Sequence, residues 1–194
     1  VKGVAQVPLT LRRWKRAEYD RLVELGVFDG EPLELIGGDL VVAEPQYPYH
    51  SSGIGVVEYA IRAALPPGWV TRTQAPVSLD DESEPEPDVA VVAGHPRDYR
   101  HEHPARPVLV VEVAESSLTF DRRRKGSLYA RAGIADYWIV NLVDRVLEIY
   151  REPVPDAAAF YGWSYRSVTR HPPPVVVTPL AFPSIEIAVV DLLP

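Results

Sequence analysis

The chain has no cysteine. That removes a disulfide framework, thiolate zinc and iron–sulfur sites and thiol catalysis, and leaves oxygen and nitrogen as the available metal-ligating atoms. Methionine is absent too, so the sequence as given has no initiator and nothing is built on Val1–Gly3. Lysine is scarce: of 20 basic residues, 17 are arginine and three are lysine, at Lys2, Lys15 and Lys125. A lysine inside an apolar pattern therefore says more than an arginine would. There is no run of ~18 apolar residues and no charged-then-apolar leader, so neither a membrane span nor a signal peptide is expected and a cytoplasmic protein is the default. Positive charge is in deficit, with 27 acids against 20 bases and a net charge of −7. Coating nucleic acid or an anionic membrane through bulk charge is disfavoured. A nucleic-acid enzyme with a local basic site and a metal stays open.

What is present has the make-up of a globular chain, 46% hydrophobic and 24% charged, and 194 residues suit one domain spanning 1–194. The amphipathic spacing of Trp14, Ala17, Leu22 and Leu25 predicts a helix over Thr10 to Leu25, closed by Gly26. Two β-prone runs, Leu33–Ile36 and Asp39–Ala43, are joined by Gly37-Gly38 and read as a hairpin. A second helix is expected from Ser51 to Leu65. Strands are expected at Trp69–Thr73, Pro76–Leu79 and Asp88–Val92. The run Val108–Val113 is almost wholly apolar and β-branched, which marks a central strand covered on both faces. A third helix follows at Asp121–Ala132, then strands at Asp136–Asn141, Val146–Tyr150 and Ser164–Val168. Helices flanking a central mixed β-sheet make the class α/β or α+β, with an N-terminal helix and β-hairpin.

Five residues stand out against that background. Asp88 opens a strand after Glu84-Pro85-Glu86-Pro87, where a strand-end cap is the plain explanation. Glu112 ends an apolar strand, where a carboxylate is costly unless paired, metal-bound or at the strand end. Lys125 shares helical spacing with Leu128, Tyr129 and Ala132, so it faces the sheet while its arginine neighbours do not. Its plain explanation is a pair with Asp121 one turn away. Glu34 lies in the hairpin, and His50 just before the second helix. Together Asp88 and Glu112 make an oxygen donor set for Mg²⁺ or Mn²⁺. A cation there would acidify a bound water and offset phosphate charge, and a lysine nearby could orient that water or stabilise developing charge.

The residues that carry this pattern resemble the Uma2 family, also called DUF820, bacterial proteins of the PD-(D/E)XK or restriction-endonuclease-like superfamily. The resemblance is strongest over 14–150. It rests on Leu33–Leu40, Glu86-Pro87-Asp88, Val110–Ser117, Asp121–Lys125 and, most distinctively, Leu128–Asn141. It implies that Asp88 is the acid of the Pro-Asp motif and Glu112 the second acid. Ala114 stands where the superfamily has its lysine, so the resemblance implies that Lys125 supplies the amine from the helix. It also implies that Glu34 is a further catalytic-side acid, and it matches His50 without giving it a role. Glu115 departs mildly from the family pattern and is assigned none.

The expectation is thus a Mg²⁺- or Mn²⁺-dependent DNA endonuclease with Asp88, Glu112 and the Val113 carbonyl on the metal, and Lys125 at the hydroxide. Arg122, Arg123 and Arg124, with Arg97, Arg100 and Arg106, would form a basic rim for DNA. A homodimer would suit cutting two strands. Two alternatives stand beside it. One is a non-catalytic interaction module using Tyr137, Trp138 and Tyr150. The other is a metal-free carboxylate-pair glycosidase, which Lys125 would disfavour by keeping both acids ionised.

Overall fold

The structure is a computed structural model and describes residues 10–43 and 47–194, so Val1–Gly3 lie outside it. In chain order the main elements are α1 (Arg16–Glu24), β1 (Leu33–Ile36), β2 (Asp39–Val42), α2 (Pro48–Ala64), β3 (Trp69–Thr73), β4 (Val89–Ala93) and β5 (Leu109–Ala114). Then come α3 (residues 118–131), β6 (Asp136–Asn141), β7 (Val146–Pro155), β8 (Trp163–His171), β9 (Val176–Val177) and β10 (Ile187–Ala188). Strands β3 to β8 form one six-stranded mixed sheet in sequential order. Only β5 and β6 run parallel, and α3 is the crossover that a parallel pair requires.

All six residues of β5 are buried, as the unbroken apolar run predicts for a strand covered on both sides. Leu109, Val111 and Val113 pack towards α2 and the C-terminal segment, in a core with Ile54, Val57, Trp138 and Leu192. Val110 and Ala114 pack towards α3, with Tyr129, Tyr137 and Tyr150. Strand alternation therefore puts Glu112 on the α3 side. Helix α2 approaches β5 so closely at Gly53 that a Cβ there would stand 3.0 Å from Val113 Cγ1.

The hairpin forms as expected. Ile36 pairs with Asp39, and Gly37 and Gly38 both take positive φ, 58° and 85°, as a tight two-residue hairpin turn demands. Three expectations need correction. Helix α1 starts at Arg16, not Thr10, because the preceding segment bonds to the hairpin turn: Trp14 N–H donates to Gly38 O at 2.9 Å and the Arg13 guanidinium donates to Gly37 O. Helix α2 starts at Pro48, so His50 lies inside its first turn. Proline suits the first helical position because its missing N–H would have no partner there. Residues 76–79 form no strand. Val77 N–H bonds to Pro85 O at 2.9 Å, Ser78 N–H to Pro104 O at 3.0 Å and Leu79 N–H to Ser83 O at 3.1 Å, so this backbone is satisfied by loops and not by a neighbouring strand.

Helix α3 is irregular at its centre. Leu118–Phe120 and Gly126–Arg131 are α-helical, while Asp121–Lys125 is wound as π-helix. Gly126 N–H bonds to Asp121 O across the wider turn, and Tyr137 OH donates to the same carbonyl at 3.1 Å. π-turns cluster at functional sites because they re-aim side chains, and this one carries Lys125.

Candidate active site

Asp88 immediately precedes β4, which runs antiparallel to β5 with Val89 opposite Val111. That register sets Asp88 beside Glu112. Val113 N–H donates to Asp88 Oδ2 at 2.7 Å, and Asp88 N–H lies 3.4 Å from Glu112 Oε2. Lys125 enters from α3, with Nζ 3.1 Å from Glu112 Oε1 and 3.5 Å from Glu34 Oε2. One turn further along α3, Tyr129 OH donates to Glu112 Oε1 at 2.7 Å. Glu34 reaches in from β1, and its Oε2 accepts Glu86 N–H at 3.0 Å. Glu34, Asp88, Glu112 and Lys125 line one cavity of about 340 Å³. At its floor Glu112 is 3% and Lys125 6% exposed.

The charge inside this cavity is unbalanced. Glu34, Glu86, Asp88, Glu112 and Asp121 face a single lysine. Burial pushes the Asp88 and Glu112 carboxyls up, and the attraction of Lys125 does not prevail over it. Burial also pushes Glu86 up, and takes Asp121 to about 6. Lys125 goes the other way: burial would lower it, but Glu112, Glu34, Asp121 and Asp88 together push its ammonium well above the ordinary lysine range. Lys125 therefore stays charged while its acids are short of positive charge.

Three neighbours were not singled out from sequence. Asp121 is 2% exposed and lines the cavity. By spacing it is only an i, i+4 partner for Lys125, but its carboxylate accepts from Ser117 Oγ at 2.6 Å. Tyr129 belongs by spacing to the apolar stripe, yet its hydroxyl is a donor that fixes Glu112. Glu86 lies two residues before Asp88, and that spacing was its one signal. His50 lines the cavity with Nε2 4.0 Å from Asp88 Oδ1, and Glu115 lies exposed at the edge. Val113 meets Asp88 through its amide.

The expected basic rim is not assembled. Arg97 and Arg100 lie in and after the turn Pro96–Tyr99 that follows β4, and Arg106 precedes β5. These are the strand ends opposite Asp88, roughly 15 Å away at ~3.3 Å per residue. Arg122 is engaged with the buried Glu148, bonding through Nε at 3.0 Å. Arg124 bonds to Asp39 at 3.1 Å and lies over the Phe160 ring. Arg123 is exposed.

A six-stranded mixed sheet with one parallel pair and its crossover helix, flanked by α2, makes this an α+β fold. A crystal structure described as a "putative nuclease belonging to DUF820" from Anabaena variabilis ATCC 29413 superposes with a TM-score of 0.63, over 82% of this chain and 88% of that one, at 16% identity. At that identity the likeness concerns the fold. No curated protein matches the sequence. The model of the Uma2 family, described as "putative restriction endonuclease", matches residues 16–190. The chain belongs to the Uma2 family.

Proposed function

We propose that the protein is a metal-dependent endonuclease that hydrolyses phosphodiester bonds of DNA, with Asp88 and Glu112 as the metal-side acids and Lys125 as the amine. The observation that carries this reading is the convergence of Asp88, Glu112 and Lys125 at the floor of one cavity. Among the described residues no group of three or more His, Asp or Glu side chains is spaced to hold a metal. The donor set is then two carboxylates, completed by backbone oxygen, such as the Val113 carbonyl, and by water. That is how Mg²⁺ is commonly held. The residues fit such an ion: they are hard oxygen donors, buried, and short of positive charge.

A divalent cation bound here would lower the pKa of a water and offset charge on the phosphate. The remaining work falls to the chain itself. Val113 N–H holds Asp88, and Tyr129 holds Glu112. Lys125, fixed between Glu112 and Glu34, can donate to charge that develops on a phosphate oxygen. Glu34 acts from the hairpin by orienting Lys125.

The test is cleavage of DNA in Mg²⁺ or Mn²⁺ against chelator, with calorimetric titration of the metal. Asp88→Asn and Glu112→Gln are expected to abolish both cleavage and metal binding and to leave the fold intact. Lys125→Ala is expected to cut the rate by ~10²–10³-fold and to leave metal binding in place, since an ammonium group cannot ligate a cation. If Asp88→Asn unfolds the protein, the acid is structural and the interaction-module reading takes over.

A further inference from the structure

The cavity has two kinds of wall. Its floor is acidic and carries Lys125, while its sides bear Val42, Tyr47, Phe120 and Gln74. Tyr47 is 72% exposed and Val42 61%, a concentration of apolar surface at the entrance to a charged pocket. Among the described residues that line the cavity there is no arginine, and Lys125 is the sole lysine. Lys and Arg on phosphates supply much of the affinity of nucleic-acid binders, and these side walls carry neither, so recognition there falls to the base. Aromatic faces beside a catalytic floor suit the flat face of a base, which is available to stack only when it is unpaired.

Gln74 adds a polar group to that wall. It has a left-handed backbone, φ 47°, which is costly for a residue with a side chain. It is held so by its N–H, which lies 3.1 Å from Pro87 O and 3.2 Å from Asp88 O. The link ties Gln74 to the backbone of Asp88, and it leaves an exposed amide on the cavity wall next to the acid. An amide carries both donors and an acceptor, the equipment for the edge of a base. The volume, about 340 Å³, falls at the small end of the ~300–1,000 Å³ usual for small-molecule pockets. It is a space in which about one nucleotide can be seated.

Resting on the nuclease reading, we propose that the substrate is an unpaired strand, with one nucleobase stacked on Tyr47 and Phe120 beside the scissile phosphate and Gln74 at the base edge. Enzymes that act inside a small pocket either take single strands or extrude the nucleotide, and a single strand presents its base without the unpairing energy that extrusion costs.

The test uses Glu112→Gln protein in Mg²⁺, so that substrate stays uncut. Fluorescence anisotropy is measured with labelled single-stranded DNA, single-stranded RNA and duplex DNA of one sequence, each ~12 nucleotides, within the ~4–16 that single-strand sites span. The single strand is expected to bind at least about tenfold tighter than the duplex, and the DNA and RNA arms show which sugar is preferred. Adding Tyr47→Ala should weaken single-strand binding about tenfold, the effect of losing one stacked base. Tyr47→Phe should retain it. Tyr47 is exposed, so neither change threatens the fold. Duplex bound as tightly as single strand, or a Tyr47→Ala effect within about twofold, overturns the inference and leaves the nuclease reading standing if wild-type protein cuts duplex. Single strand held through Tyr47, with no hydrolysis by wild-type protein in Mg²⁺ or Mn²⁺, supports the inferred occupant and overturns the nuclease chemistry.

Discussion

Val111 and Glu112 are neighbours on β5 and face opposite sides of the sheet. On the Val111 side, α2 and the C-terminal segment close over aliphatic side chains and Trp138, and the one carboxylate buried beside Trp138, Asp136, is matched by Arg151 and held by the Trp138 indole and the Leu180 amide. On the Glu112 side, the packing is dominated by tyrosine. Tyr129, Tyr137, Tyr150 and Tyr165 lie ring against ring, with centroids 4.9 to 6.1 Å apart. Each of their hydroxyls has a buried acceptor: Glu112 for Tyr129, Asp121 O for Tyr137, Glu148 for Tyr150 and Ile134 O for Tyr165. A carboxylate in an apolar core is expensive unless hydrogen-bonded. The tyrosine side supplies apolar bulk and donors in one residue type, so it can hold several acids around a single lysine, whereas Asp136 on the other side has an arginine of its own. One sheet thus divides its labour, with stability on the α2 face and charge held ready on the α3 face.

The largest effect on stability should come from the aliphatic face. Trp138 is fully buried there, and its Nε1–H donates to Asp136 at 2.8 Å. Trp138→Ala should destabilise by ~3–5 kcal/mol through cavity formation, seen as a lower midpoint in urea unfolding. A loss below ~1 kcal/mol would mean that this side is not the stabilising one.

A smaller effect of opposite sign should come from Asp121. Burial pushes its carboxyl up to about 6, against ~3.9 for an ordinary Asp. A group with a raised folded-state pKa contributes stability that is full below the ordinary value and lost as pH rises through the folded one. Metal-free protein should therefore become more stable on acidification from neutral pH to about 5. At still lower pH Glu148 works in the other direction. Burial would raise it, but hydrogen bonds from Arg122, Asn141 and Tyr150 hold it below the ordinary range, so its contribution is lost as pH falls below ~4. Asp121→Asn should flatten the rise and add on the order of 1–3 kcal/mol at pH 7, read as melting temperature against pH in chelator. If Asp121→Asn destabilises as Trp138→Ala does, the two faces do not differ in kind.

How far the residues announced this arrangement depends on the range of the interactions involved. Local and periodic features came through: the Gly37-Gly38 turn, the buried Leu109–Ala114 strand and the sheet-facing Lys125 are set by spacing along the chain. Asp88 could be singled out because it opens an apolar strand after the Pro-rich loop, and Glu112 because it interrupts an apolar run. Asp121 and Tyr129 could not, because an acid among arginines and a tyrosine in an apolar stripe look ordinary until the helix is docked on the sheet. The π-turn has no simple spacing signal, since it rests on Tyr137 of the next strand meeting Asp121 O. The apolar residues at 76–79 look like a strand, but their hydrogen bonds go to a loop whose path depends on the tertiary fold.

The basic rim is the clearest case of a composition argument defeated by topology, and it gives the smallest expected effect. Arg97 and Arg100 are exposed, and Arg100 Nε donates to Arg97 O at 3.1 Å, so the pair contributes little beyond its own turn. Antiparallel pairing puts that turn at the opposite end of β4 from Asp88, beyond the ~10 Å over which exposed charges act at ordinary salt. Arg97→Ala and Arg100→Ala should each change stability by no more than ~0.5 kcal/mol. They should also leave KM for a nucleic-acid substrate within about twofold, because their charges are screened from a phosphate at the Lys125 floor. A tenfold rise in KM for either, at unchanged kcat, would show that the strand runs past the cavity to the far end of the sheet. The charge-bearing region would then extend well beyond the tyrosine face, and the division between the two faces of the sheet would give way to one between its two ends.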